Sequence, residues 1–506
     1  MFCTNTTLAQ NQAPEISNII ALADTVFHRL RVFYDLADAE NDTSEVIMAV
    51  SADNGLTFCL KTDSVVGDIG PGIAPGIGKY FEWDYPDSLS GMVGSLRIQM
   101  NANDWQSTDI QQIIDGVDSV RLKENLSFIE GIRHRNTGAA HLLEFQDSIL
   151  AVFGAHGLES GTHDFPFAGG YTGKNIMGRK EGSFNPCRTL IIDGHYDTVD
   201  DSPGADDNGA ALAGILEIMH IIQSLDLAYS VKLIGFDLEE AGLVGSEEYV
   251  ASGISEDEHI AAVFNMDMIA YFSNEPNSQT VPELFDFVFP DLYQELVDNE
   301  FRANFIMSTV NVYSDTLGNL FESTAAQYVP ELLIGTMVIP GNGELIPDSR
   351  RSDHAAFWDA GYMAMHISDG AETRNPNYHG PTDVLDSCNM TFATHIVKAL
   401  AATLLRLAKP MHGNVEEVSV TADPASGISD GSANTFHAVV SPNPSNDLFH
   451  IRSEELITEV NVFDLSGRFL FNQKKTFIDL SDHENGVYTL SIHSEKGTVN
   501  LRAIKD

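Results

Sequence analysis

Three textures succeed one another along the 506-residue chain. From 13 to about 106, short runs such as "HRLRVFYDL", "SEVIMAVSA" and "GSLRIQMNA" alternate partly between apolar and polar positions and favour β-branched and aromatic residues. Period-two alternation is what a half-buried strand requires. "ADNG" at 52–55 is a turn signal, and "GDIGPGIAPGIG" at 67–78 carries too much Gly and Pro for a helix. Residues 13–106 therefore predict a small β-sandwich.

From 117 to 412 the pattern changes. "RTLIIDGHYD" reads as a buried strand running into polar residues, "SVKLIGFDL" and "EHIAAVFNMDMIAY" contain further strands, and "GAALAGILEIMHIIQSL" and "TFATHIVKALAATLLRLA" repeat apolar residues at helical spacing. Alternating strands and helices predict an α/β domain, with its ligands at the loops that follow the carboxyl ends of strands. Residues 413–436, rich in Ser, Asp, Gly and Ala, read as a linker. Its "GISDG" matches a nucleophile-elbow pattern, but no strand precedes it and no helix follows, so it reads as linker too. Residues 437–506 return to β texture.

Composition narrows the function. Lys and Arg number 28 against 73 Asp and Glu, a net charge of −45. Such a surface repels nucleic acid and anionic membranes, so neither is an expected partner. No apolar run is expected to be long enough for a transmembrane segment. Four cysteines without a CxxC spacing make no disulfide framework, although Cys187 and Cys388 could form one bridge. Residues 1–12 lack a basic or long apolar stretch but end in "LAQNQ", which could be the tail of a signal peptide: either the protein is not exported by that route or its true start lies upstream.

Polar residues punctuate successive strand ends: "GHYDTVD" (194–200), "PGADDNGA" (203–210), "LEEAGLVGSEEY" (238–249), "FNMDM" (264–268), "RRSDHAAFW" (350–358) and "RNPNYHGPTD" (374–383). Singly, each has an ordinary reading. "ADDNG" could cap a helix, Ser352, Asp353 and His354 are read as capping residues, and His395 as a plain helix position. Jointly, His195, Asp207, Glu240, Asp267 and His379 make two imidazoles and three carboxylates, a set suited to zinc. If one carboxylate bridges two ions, each ion has three protein ligands, and with one hydroxide the charges cancel.

These segments resemble the bacterial zinc aminopeptidases with two co-catalytic metals (clan MH; the leucyl, Streptomyces and Vibrio type). The resemblance covers about 117–412. It implies a central mixed β-sheet flanked by helices and two Zn²⁺ per chain. One ion would be held by His195 and Asp267 and the other by Glu240 and His379, with Asp207 bridging. It further implies that Asp197 orients the His195 ring, that Glu239 is the general base, and that Tyr378 donates to the oxyanion. Some members place that tyrosine before "SDH", where this chain reads "DSRRSDH". The bridging Asp is followed in that family by a cis peptide, so Asp207–Asn208 is expected to be cis. The implied reaction removes N-terminal residues from peptides with a free N-terminus, by attack of a hydroxide shared between the metals. Three alternatives stay open: a glutaminyl cyclase-like transferase, a carboxypeptidase of the same fold, and a non-catalytic binding ectodomain.

The N-terminal module resembles fibronectin type III-like or immunoglobulin-like sandwiches. In the last segment, "SPNPSNDLFHI", "VFDLSGR", "IDLS…ENGVYTLSI" and a basic terminal strand resemble the C-terminal sorting domain of type IX secretion in Bacteroidota. That implies a small β-sandwich, secretion machinery as a partner, and a secreted or cell-surface location.

Overall fold

The structure is a computed structural model. It describes residues 11–422 and 438–505, apart from 26, 63, 107, 442, 444, 454, 465–467, 475 and 495. Expectations for residues 1–10, and for most of the linker with its "GISDG", fall outside the described residues. The chain divides into two units: Asp109–Met411, and the described parts of Met1–Thr108 with His412–Asp506.

The strands of the Asp109–Met411 unit are β1 (Glu159–Pro166), β2 (Thr172–Lys180), β3 (Asn185–His195), β4 (Tyr229–Phe236), β5 (His259–Met266), β6 (Ile306–Asn311), β7 (Ile334–Ile339) and β8 (Ala364–Ser368). They form one sheet in the order β7-β6-β8-β5-β3-β4-β2-β1. The centre is parallel, with β3 pairing β4 and β5, and β5 pairing β8. The β1–β2 hairpin and the β6–β8 pair are antiparallel, so the sheet is mixed, as expected. All eight residues of β4 are buried. A strand covered on both faces has no polar side to alternate with, which is why its sequence is mainly apolar, with Ser230 and Lys232 as buried exceptions.

Two helices supply much of the cover. Twelve residues of Ala210–Ile222 are buried, among them Leu212, Ile215 and Leu216. Met390–Ala408 starts where Asn389 accepts the backbone N–H of Phe392 at 3.0 Å, satisfying an otherwise orphaned donor. By length and composition alone this helix could cross a membrane. However, 67% of its most apolar stretch is buried within the unit, and its Ile396, Leu400 and Leu404 belong to the same core as Ile192, Leu233 and Phe264. Cys388 is a free thiol, so the expected bridge with Cys187 does not form.

The other unit holds two β modules. The strands Glu15–Asp24, Arg29–Ala37, Ser44–Ser51, Gly76–Asp84 and Arg97–Asn103 enclose a core that includes Val32, Val50, Trp83 and Ile98. One strand corrects the expected domain plan. Glu416–Ala422, in the stretch read as linker, pairs parallel with Glu15–Asp24 and antiparallel with Arg97–Asn103, and so inserts into the N-terminal sheet. The C-terminal module pairs a three-stranded with a four-stranded sheet around Phe449, Val460, Leu490 and Ile492.

Candidate metal centre

The parallel register puts the carboxyl ends of β3 and β4 side by side. His195 pairs with Phe236, so His195 and the residues after Phe236 emerge together. On the other flank Asp193 pairs with Asn265, which places Asp267 next to the same end. Asp207 arrives from the turn Ala205–Gly209, and His379 from the loop after β8. Gly204 starts that turn at φ 60°, where a Cβ would stand 2.5 Å from the Asp207 carbonyl oxygen, so only glycine fits there. The Asp207–Asn208 peptide is cis, as the resemblance implied, and so is Asp267–Met268.

The five candidate ligands converge. Asp207 Oδ1 lies 3.3 Å from His195 Nε2, and its Oδ2 lies 3.2 Å from His379 Nε2. Asp267 Oδ1 is 3.6 Å from His195 Nε2, and Glu240 Oε2 is 3.2 Å from His379 Nε2. Two triads result, His195–Asp207–Asp267 and Asp207–Glu240–His379, and in each the donor atoms lie within 4.8 Å of one another. Asp207 is common to both, with one oxygen toward each histidine.

Electrostatics tests whether these residues fit cations. Burial would raise the Asp207 pKa, but hydrogen bonds from His195 and His379 outweigh it and hold it low. Burial likewise opposes protonation of His379, yet hydrogen bonds to Asp207 and Glu240 push it up to about 10. Burial pushes Glu240 up to about 7, and its Oε1 is buried without a hydrogen-bond partner. Protons on the imidazoles thus stand in for the positive charge that the carboxylates require. Oxygen and nitrogen donors so arranged fit zinc.

Asp197 touches both halves of the glutamate pair. Its Oδ1 accepts the Glu239 N–H at 3.0 Å and its Oδ2 the Glu240 N–H at 3.3 Å. The His195 Nδ1 faces the Asp197 backbone carbonyl at 3.1 Å and the carboxylate at 3.5 Å. Glu239 Oε2 is 3.9 Å from His195 Nε2, and burial raises the Glu239 pKa well above the usual range, with Asp267, Asp353 and Glu240 adding to it. The Tyr378 ring stacks on His379 at 3.9 Å between centroids, and its hydroxyl accepts from Arg351 at 3.2 Å.

The capping reading of Ser352, Asp353 and His354 is corrected. The helix His354–Asp359 has no side-chain cap. The His354 ring stacks on His366 at 4.6 Å, and His366 Nε2 donates to the Asp267 carbonyl at 2.7 Å. Asp353 is wholly buried, and burial pushes it up to about 7. Three further residues carry the site without having been singled out. Asp383 accepts the N–H groups of Asp206 and Asp207 at 2.8 and 3.0 Å. Asp206 accepts from Ala270 N and from Asn375. Arg133, fully buried, donates to the carbonyls of Tyr196, Pro203 and Gly204 around the same turn. Asp383 lay in "GPTD", where an acid just past a candidate ligand was the available signal.

The cluster opens on a cavity of about 430 Å³ whose far wall is apolar, including Leu284, Phe285, Phe289, Met307, Met337 and Ile339.

The chain is 27% identical over 272 residues to the uncharacterized protein YfbL of Escherichia coli, covering 51% of this chain and 77% of that one. It is 25% identical over 221 residues to the aminopeptidase YwaD of Bacillus subtilis, covering 42% of this chain and 40% of that one. Among solved structures, the LapA aminopeptidase of Legionella pneumophila aligns with a TM-score of 0.46 at 18% identity, over 61% of this chain and 74% of that one. Residues 439–506 match the secretion system C-terminal sorting domain, and residues 175–404, which hold every candidate ligand, match peptidase family M28.

Proposed function

We propose that this chain is an exported aminopeptidase with two zinc ions, and that Asp207, shared between two histidine–carboxylate triads, is the observation that carries the reading. His195 and Asp267 would hold one ion and Glu240 and His379 the other, with Asp207 available to both. Zinc bound there supplies Lewis-acid polarisation of the peptide carbonyl and lowers the pKa of water.

The protein groups do the rest. Glu239 takes a proton from the attacking water and passes it to the leaving amine, a role suited to a buried carboxyl whose pKa burial has raised. Asp197 fixes the backbone of Glu239 and Glu240 and faces the His195 ring, setting its orientation. Tyr378 donates its hydroxyl hydrogen to the developing oxyanion. The free ammonium of the substrate sits among the carboxylates, which disfavours mid-chain peptide bonds, and its first side chain enters the apolar recess. The match to the sorting domain supports a secreted or cell-surface location reached through type IX machinery.

The test is a panel of aminoacyl chromogenic amides, each with a free or an acetylated amino group, with zinc quantified in the same sample. Cleavage only of the free forms, best for Leu, Phe and Met, with two zincs per chain, is expected. Cleavage of blocked peptides from the other end would make it a carboxypeptidase. Ammonia release from N-terminal glutamine with one zinc would make it a glutaminyl cyclase. No turnover and no metal would make it a binding ectodomain.

A further inference from the structure

The N-terminal sandwich has an outer face that is apolar in part. Register fixes which side chains share it. Ile20 pairs with Phe33 and Phe33 with Tyr80, so these three form one row across three strands. Leu22, Arg31 and Glu82 form the next row on the same face. The intervening row, Ala21, Val32 and Phe81, belongs to the sandwich core. A solvated face of an antiparallel sheet is expected to be polar. Here Leu22 is only 5% and Phe33 only 4% exposed.

What covers them is the C-terminal module. Val487 and Ile504 are cross-strand partners on the outer face of its four-stranded sheet, while Tyr488 and Ala503 point into its own core. Leu22, Phe33, Val487 and Ile504 form one buried cluster, with Ile20 and Tyr80 packed at its margin. The Arg502 guanidinium, on the same outer face as Ile504, lies 6.0 Å from the Phe33 ring centroid.

We infer that the N-terminal β-sandwich is the docking platform for the chain's own C-terminal sorting module, through the Leu22–Phe33 face against Val487 and Ile504. Two modules from opposite ends of the sequence then act as one unit. The strand Glu416–Ala422 strengthens the arrangement, because the chain leaves the N-terminal sheet itself shortly before the sorting module begins. While docked, the Val487–Ile504 face is not free for secretion machinery, which must read another surface of the module or displace the sandwich. This inference does not depend on the catalytic reading.

Hydroxyl-radical footprinting of the full chain, read by mass spectrometry, tests it. Phe33 and Leu22 should label at least tenfold more slowly than Phe27 and Leu456, which are 76% and 81% exposed. Ile504→Asp should raise Phe33 labelling several-fold, while Phe81 and Phe449, in the two module cores, stay protected. If Phe449 labels too, the variant has unfolded its own module, and Arg502→Glu with Val487→Ser replaces it. Three results would overturn the inference: fast labelling of Phe33 in the unaltered chain, protection that survives both outer-face variants, or protection that disappears on dilution and so reports a second copy.

Discussion

The carboxylate of Asp197 holds the main chain of Glu239. Its Oδ1 accepts that N–H at 3.0 Å, its other oxygen takes the N–H of Glu240, and Oδ1 lies 3.5 Å from the His195 ring. One side chain thereby sets a candidate ligand and the adjacent glutamate pair in a common frame. Asp197→Ala leaves two N–H groups unpaired and the imidazole unguided. Losses of about 10–100-fold in metal affinity or activity are typical when such partners are removed. We expect kcat/KM to fall by that range, with Asp197→Asn intermediate because it keeps one acceptor. Steady-state kinetics with zinc quantification checks this, and unchanged kinetics in the Ala variant would remove Asp197 from the mechanism.

Asp383 bears on stability as well as on the site. It accepts the N–H groups of Asp206 and Asp207, and without it both are buried and unpaired. Each orphaned donor costs about 1–3 kcal/mol. Asp383→Ala should therefore lower the thermal midpoint by several degrees and weaken zinc binding, because Asp207 loses its anchor. Calorimetry of the metal-free and zinc-loaded protein separates the two effects. An unchanged midpoint in both forms would show that the turn is held by Arg133 alone.

How far the sequence anticipates this molecule depends on whether a residue's role is local. His195, Asp207, Glu240 and Asp267 stand at strand ends or turns where apolar runs break into charge, so each is visible in its own short segment. Asp383 is not visible in that way, because its partners lie 176 and 177 positions away and are backbone groups. Arg133 is invisible for the same reason, since it serves carbonyl oxygens that no side-chain pattern marks. The strand Glu416–Ala422 begins a polar stretch, and only its partners in the N-terminal sheet make it a strand. The capping reading of Asp353 failed because burial, not local spacing, decides what a carboxylate at a helix start can reach.

Asp237 gives a pH dependence. Burial, with Asp197 adding to it, pushes its pKa up to about 7, from an ordinary 3.8. The folded state therefore holds a proton that the unfolded state has released between those values. The stabilisation is complete below about 3.8 and is lost as pH rises through about 7. Asp237→Asn cannot ionise. It should lower stability overall, because Asp237 accepts from Lys174 N, Leu238 N and the Tyr171 hydroxyl. It should also flatten the decline of the thermal midpoint between pH 5 and pH 8 relative to the unaltered chain. Parallel slopes for the two proteins would show that Asp237 ionises normally in the fold.

The glutamate pair is the most discriminating test. Glu239 and Glu240 are adjacent, share the Asp197 anchor, and point to different partners: Glu239 Oε2 lies 3.9 Å from His195 Nε2, and Glu240 Oε2 lies 3.2 Å from His379 Nε2. Glu239→Gln keeps size and polarity but cannot accept a proton. Zinc content should be unchanged and kcat should fall by about 10²–10⁴-fold, the usual worth of general acid–base catalysis. Glu240→Gln replaces an anionic donor by a neutral amide oxygen, so zinc affinity should fall and added zinc should restore part of the activity. Added zinc should do nothing for Glu239→Gln, whose metals are already in place. Zinc content and kcat measured for both variants across a zinc titration decide the assignment. Loss of metal from Glu239→Gln with both zincs retained by Glu240→Gln would reverse the two roles, and full activity in both would remove this stretch from the reaction.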